Sequence, residues 1–259
     1  MAITEAIGWG FKATFRSWKL WIVGGIIFYL IVFATPAIFA MLAGIGMSGA
    51  DPAAAPAADP SANPGNPVLD GLSVFVGLLL GPLLYNAALR QIKHPKVGWS
   101  SLVKNVNYLP VVGMSLLVSA ITNVVILLAF FGVLGLADVS LFGGFDFRDD
   151  AEIFHSVLAI LGALLAMLLV SVVIGPFFAL WPWVVADRQE TFGAAIRRGF
   201  KAGKANWLRL IGLSVLIFLL FLAAALPLGL GLIVVAPAVL NAQAHAYRQA
   251  VGESVPAQF

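Results

Sequence analysis

The 259-residue sequence predicts an all-α fold: a polytopic membrane bundle of six transmembrane helices with both termini in the cytoplasm. Three observations lead there. The hydrophobic set makes up 61% of the chain and charged residues 10%, against roughly 45–50% and about 25% in a typical soluble domain. Mean hydropathy is +0.99, and the apolar runs are long enough to cross about 30 Å of hydrocarbon at 1.5 Å per residue. The cations cluster at alternate ends of those runs. The absence of cysteine excludes disulfides and thiolate chemistry, and with three histidines a multi-His metal site is not expected.

The runs fall near residues 20–47, 68–89, 108–136, 153–185, 208–226 and 229–247, none with a Lys, Arg or Glu in its middle. The first is 28 residues long, beyond the roughly 7–15 residues of a signal-peptide core, so it is read as a span despite the Ala-rich stretch after Ser48. Residues 48–67, rich in Ala, Pro, Asp and Asn, have little to bury and are expected to form a mobile outer loop. The fourth run exceeds what a bilayer needs, which predicts a tilt or a kink near Pro176 and Pro182. A turn at Pro227 and Gly229 makes the last two runs an antiparallel hairpin. No extramembrane stretch reaches the roughly 40 residues below which domains seldom fold alone, so residues 1–259 are read as a single integral membrane domain.

Lys and Arg near span ends are retained on the cytoplasmic side. Of fifteen such residues, only Arg148 falls on the side opposite Lys12, Arg16, Lys19, Lys104, Arg209 and Arg248. The translocated segments instead carry Asp51, Asp59, Asp70, Asp138, Asp146, Asp149, Asp150 and Glu152. That distribution puts both ends of the chain inside.

Three repeat units are expected, about 1–91, 92–189 and 190–249. Each has an interfacial amphipathic helix, a span opened by an aromatic residue (Trp18, Tyr108, Trp207), and a returning span broken by a proline, Pro82, Pro176 or Pro237. Each returning span ends in Arg-Gln, at 90–91, 188–189 and 248–249. In the first amphipathic stretch, Ile3, Ile7, Phe11, Phe15 and Trp18 recur at helical spacing while Lys12, Arg16 and Lys19 lie on another side. In the third, Phe192, Ile196, Phe200 and Gly203 oppose Arg197, Arg198, Lys201 and Lys204; the middle stretch, 97–106, is weaker. These seven cations are the candidate contacts for anionic lipid headgroups, worth about 1 kcal/mol each near the surface. A collar that only fixes topology is the plainer alternative.

Proline frees a carbonyl one turn earlier in its helix, and that carbonyl must find another donor. Pro82, Asn86 and Arg90 share one helix face, as do Pro237, Asn241 and His245. Asn86, Asn241 and His245, with Gln243 and Asn123, are therefore the candidate polar lining of a cytoplasm-facing vestibule. Interhelical hydrogen bonding is the competing role. Gly77-x-x-x-Gly81 is a close-approach motif, and the acidic group from Asp146 to Glu152 matches no EF-hand loop.

No P-loop, Rossmann glycine pattern, HExxH, GxSxG or kinase signature appears, and no carboxylate lies deep in a span. A non-enzymatic protein without cofactor or metal is expected, and no nucleic-acid partner. The proline-broken even spans and the pattern from Thr191-Phe192-Gly193-Ala194-Ala195 through Asn206-Trp207 to Pro237 and Tyr247 resemble a loose group of bacterial membrane proteins. That group comprises YciC-like inner-membrane proteins and the membrane domain beside some glycerophosphodiester phosphodiesterases. The resemblance implies a bacterial cytoplasmic-membrane location and a link to envelope or lipid homeostasis, and brings no catalytic residue with it. Three functions follow as expectations: action on or with membrane lipids, an accessory or assembly subunit of a membrane complex, or a permease for a small neutral or amphiphilic solute.

Overall fold

The computed structural model describes residues 2–27, 30, 67–94, 96–139, 150–187, 191–227, 229–253 and 255. Most of the first expected span, residues 48–66 of the expected outer loop, Arg148 and Arg188-Gln189 lie outside the described residues, and Pro67 opens a helix. Among the described residues every regular element is a helix. In chain order these are α1 (Ile3–Arg16), α2 (Trp18–Ile27), α3 (Pro67–Lys93), α4 (Ser100–Val103), α5 (Tyr108–Leu136), α6 (Asp150–Phe178), α7 (Trp181–Ala186), α8 (Phe192–Ala205), α9 (Trp207–Ala225) and α10 (Leu232–Ala250).

Three helical stretches are long and apolar enough to cross a membrane: Tyr108–Leu136, Glu152–Ala186 and Trp207–Ala225. Their large apolar side chains point outward, with Leu128 69% and Leu158 59% exposed, as a lipid-facing surface requires. The longest breaks at Ala179–Leu180, between α6 and α7. Pro182 stands at the start of α7, where no backbone donor is needed, so the interruption precedes it.

The described residues form two compact units. One draws on Met1–Ile3, Leu109–Leu219 and Ala246–Val255. Within it Leu134, Ala159 and Ala163 bury an apolar cluster with Phe130 and Ile160 joining α5 to α6, and α8 packs on α6 and α7. The other draws on Thr4–Tyr108 and Leu220–His245. There α1 crosses α10, α4 lies against α3, and the turn between α9 and α10 carries Gly229 at φ +79°, a left-handed position suited to glycine.

Two short amphipathic helices run almost directly into the next helix. A one-residue break at Ser17 separates α1 from α2: Ser17 N donates to Ala13 O, and Ser17 O accepts from Leu20 N and Trp21 N. Asn206 does the same between α8 and α9, its backbone and side-chain N–H groups both donating to Ala202 O. Residues opening the long helices also serve the prolines. Tyr108 Oη donates to Leu79 O at 2.7 Å, and Trp207 Nε1 to Val173 O at 2.8 Å. Each acceptor lies three residues before a helix proline, Pro82 or Pro176, where the backbone ladder is weakened. Tyr108→Phe and Trp207→Phe are each expected to lower the unfolding free energy by about 0.6–1.5 kcal/mol, read from denaturant titration in detergent. Equal stability of both variants and the parent would show that these bonds contribute nothing.

Candidate functional site

The short helices α1 and α8 have three faces, not the two that hydrophobic periodicity suggests. On α1 the buried face is Ala6, Trp9, Gly10, Ala13 and Thr14. Phe15, and Trp18 just past the Ser17 break, are 55% and 50% exposed, and Lys12, Arg16 and the following Lys19 form a third, exposed side. On α8 the buried face is Ala195, Gly199, Ala202 and Gly203, while Phe192 and Phe200 are outward and Arg197, Lys201 and Lys204 are exposed. Gly203 thus leaves the apolar stripe that periodicity assigns it, because small residues let helix backbones approach. A Cβ at Gly203 would stand 2.6 Å from Pro176 O, and one at Gly10 would stand 2.2 Å from Ala238 O. Arg198 differs from its neighbours by meeting Glu253 at 3.3 Å.

The asparagines one turn after the prolines anchor these short helices. Asn86 Nδ2 donates to Ser101 O at 2.9 Å and Lys104 O at 3.1 Å, at the end of α4. Arg90 reinforces that cap, donating to Lys104 O at 2.7 Å. Asn241 Nδ2 donates to Thr14 Oγ1 of α1 at 3.1 Å and to Pro237 O at 3.0 Å. Where the third proline, Pro176, has Leu180 in place of asparagine, the helix breaks and α8 approaches through bare glycine.

His245 is 1% exposed, its ring 5.1 Å from Trp9, and its Nε2 lies 3.9 Å from Glu5 Oε1, beyond hydrogen-bond length. Among the described residues His245 Nδ1 and Asn241 Oδ1 have no hydrogen-bond partner. Gln243 is half-buried, and Asn123 is exposed on α5 and donates back to Ser119 O at 2.8 Å. Asn241 and His245 therefore share a buried face of α10, Asn86 serves α4, and Asn123 donates within its own helix. Glu152 and His155 are exposed, and a Cβ at Gly77 or Gly81 would meet nothing within 4 Å.

A cavity of 340 Å³ lies between α2, α3, α4 and α10. Its walls include Trp21, Leu83, Leu84, Trp99, Pro237 and Leu240. None of the five polar candidates lines it. Trp21 already donates its Nε1 to Gln91 Oε1 at 3.2 Å, which leaves the ring's apolar surface for the cavity.

Sequence reasoning passes over a second polar cluster. Arg248, 5% exposed, donates from Nη2 to Asp187 Oδ1 at 2.6 Å and pairs through Nη1 with Glu253. Tyr247 Oη donates to Asp187 Oδ2 at 3.3 Å, and its ring stacks 6.4 Å from Trp183. The repeated Arg-Gln ending is the signal that could have revealed it. Arg90 and Arg248 each tie down a neighbouring segment, while Gln91 accepts from Trp21 and Gln249 from the Ala2 backbone N–H. Compared with family models, curated proteins and solved structures, the chain matches none.

Proposed function

We propose that this chain is a non-enzymatic, six-span protein of a bacterial cytoplasmic membrane that acts on or with membrane lipids, both termini being cytoplasmic. The observation that carries the lipid reading is the three-faced interfacial helix. A small-residue face is spent on protein contact, leaving an aromatic face for hydrocarbon and a lysine- and arginine-bearing face for anionic headgroups. A helix serving only as a collar has no need of exposed Phe15, Trp18, Phe192 and Phe200.

Threefold repetition is supported by recurring order and contact. An interfacial helix precedes an apolar helix three times, and α4 meets α3, α8 meets α6 and α1 meets α10, each near the partner's proline. The bacterial location rests on the resemblance carried by the proline-broken even spans and the pattern from Thr191 to Tyr247. The permease reading has less support, because both donor hydrogens of Asn241 are engaged within the helices.

Neutralising Arg197, Lys201 and Lys204 tests the lipid reading while sparing Arg198, which is paired to Glu253. At about 1 kcal/mol per cation, the ratio of anionic to zwitterionic lipid retained in native mass spectrometry should fall by up to roughly a hundredfold at low salt. Unfolding temperature should be unchanged. An unaltered lipid ratio would refute the headgroup role.

A further inference from the structure

We propose that Glu253 is an internal counter-ion seated between Arg198 and Arg248, and that the phosphate of an anionic lipid headgroup competes with it for Arg198, so that the end of α10 limits what α8 binds. This rests on the lipid reading above and deepens it by naming a control on the same helix.

The backbone delivers Glu253 to that seat. Gly252 takes φ +79°, the left-handed conformation that ends many helices, and turns the chain back at the end of α10. Its N–H donates to Gln249 O at 3.2 Å, and the Glu253 N–H donates to Arg248 O at 3.0 Å, the two bonds of a glycine-terminated cap. Asn206, at the break between α8 and α9, donates from Nδ2 to Ala250 O at 3.3 Å and ties the end of α8 to the same turn. The Glu253 carboxylate then accepts from Arg198 Nη2 at 3.3 Å through Oε1 and pairs with Arg248 Nη1 through Oε2.

The cap itself calls for no charge at this position. Its bonds are backbone bonds, and the C-terminal end of a helix carries partial negative charge, which disfavours a carboxylate. Charge balance supplies the reason. Arg248 is matched by Asp187 at 2.6 Å, so Glu253 is the carboxylate left for Arg198. The two ends of this ionic chain differ in how readily they exchange. Arg248 and Asp187 are both buried, and separating them strands a charge away from water. Arg198 and Glu253 have side chains 31% and 27% exposed, where water and other anions reach the pair and it contributes little. Arg198 also precedes exposed Lys201 by three residues, which makes the two neighbours on the helix surface. A phosphate drawn to the exposed cations of α8 thus meets a guanidinium whose present partner it can replace, and a guanidinium suits phosphate oxygens as well as carboxylate ones.

The test compares the full chain and its variants in nanodiscs of mixed phosphatidylglycerol and phosphatidylcholine, with retained lipids counted by native mass spectrometry. Glu253→Gln should raise the retained ratio of phosphatidylglycerol to phosphatidylcholine about fivefold at low salt, the gain expected of one more cation near the surface. Its unfolding temperature should stay close to the parent's, because the Arg248–Asp187 pair persists. Glu253→Asp keeps the charge and draws the carboxylate back by one methylene, so it should give a smaller gain that net charge alone would not produce; it also carries the test if Glu253→Gln does not fold. Adding Arg198→Gln to either variant should return the ratio to the parent value. An unchanged ratio in folded Glu253→Gln, a gain absent from Glu253→Asp, or a gain that survives Arg198→Gln would each overturn the proposal. A rise in the unfolding temperature of Glu253→Gln on adding inorganic phosphate, with no change in the lipid ratio, would place the competing anion in solution and overturn the headgroup assignment. If neutralising Arg197, Lys201 and Lys204 loses anionic lipid while Glu253→Gln gains none, the counter-ion control alone fails. If Glu253→Gln gains lipid while that neutralisation changes nothing, the reading of the exposed α8 face alone fails.

Discussion

Replacing Arg248 with alanine is expected to lower the unfolding free energy by about 3–5 kcal/mol, the largest loss anticipated for a single side chain here. Arg248 and Asp187 have side-chain exposures of 6% and 5% and meet at 2.6 Å. Truncation leaves the Asp187 carboxylate buried with the Tyr247 hydroxyl at 3.3 Å and without its arginine. The pair itself need not be worth that much, since burying two charges costs several kcal/mol before their attraction is counted. Asp187→Ala combined with Arg248→Ala should therefore recover much of the loss. A double-mutant cycle from denaturant titrations in mild detergent separates the pairwise coupling from the stranded charge. A single-variant loss under about 1 kcal/mol would show that water reaches the pair.

Gly10→Ala is expected to be the next most damaging change, costing about 1–3 kcal/mol or more through overpacking. The added methyl would lie 2.2 Å from Ala238 O and 2.9 Å from the Ala242 Cβ. Two of its three nearest obstacles are backbone atoms of α10, so no rotamer change relieves the clash, and α1 must lift away. Gly8→Ala, two residues earlier, meets nothing within 4 Å and should gain up to about 1 kcal/mol from helix propensity. Opposite signs at neighbouring glycines separate contact from propensity. Limited proteolysis near Lys12 and Arg16 should accelerate in Gly10→Ala only; equal rates in the two variants would mean that α1 is not held by this contact.

How far the sequence could be read depends on which physical signal each feature leaves. Uninterrupted hydropathy finds the uniformly apolar helices, and the expected 108–136 run coincides with α5. The end of the fourth run is less legible, because Pro176 and Pro182 both offer a break and the helix interrupts between them, at Ala179–Leu180. Periodicity marks an apolar side of α1 at Ile3, Ile7, Phe11 and Phe15 and says nothing of the buried face, which is Ala6, Trp9, Gly10, Ala13 and Thr14. Apolar bulk marks a protein interface in water, but beside lipid the close contacts belong to small residues, to which hydropathy is nearly blind. The spacing of four residues after proline singles out Asn86 and Asn241. Their partners stay hidden, since neither the α4 carbonyls nor Thr14 carries any mark of pairing. Asn123 has the same residue type without the proline, and it faces outward. The cavity leaves no one-dimensional trace, because its walls come from four helices.

The Thr14–Asn241 contact joins residues 227 positions apart. At about 5–20 residues per second, a ribosome needs on the order of 10–45 s to make the chain between them. Throughout that interval α1 has been synthesised and its partner has not, so the small-residue face that will meet α10 stands uncovered. On the lipid reading proposed above, the aromatic and cationic faces of α1 let it wait in the headgroup layer. One short helix thus receives the α10 helix only near the end of biosynthesis, and premature termination before residue 241 leaves it without that mate.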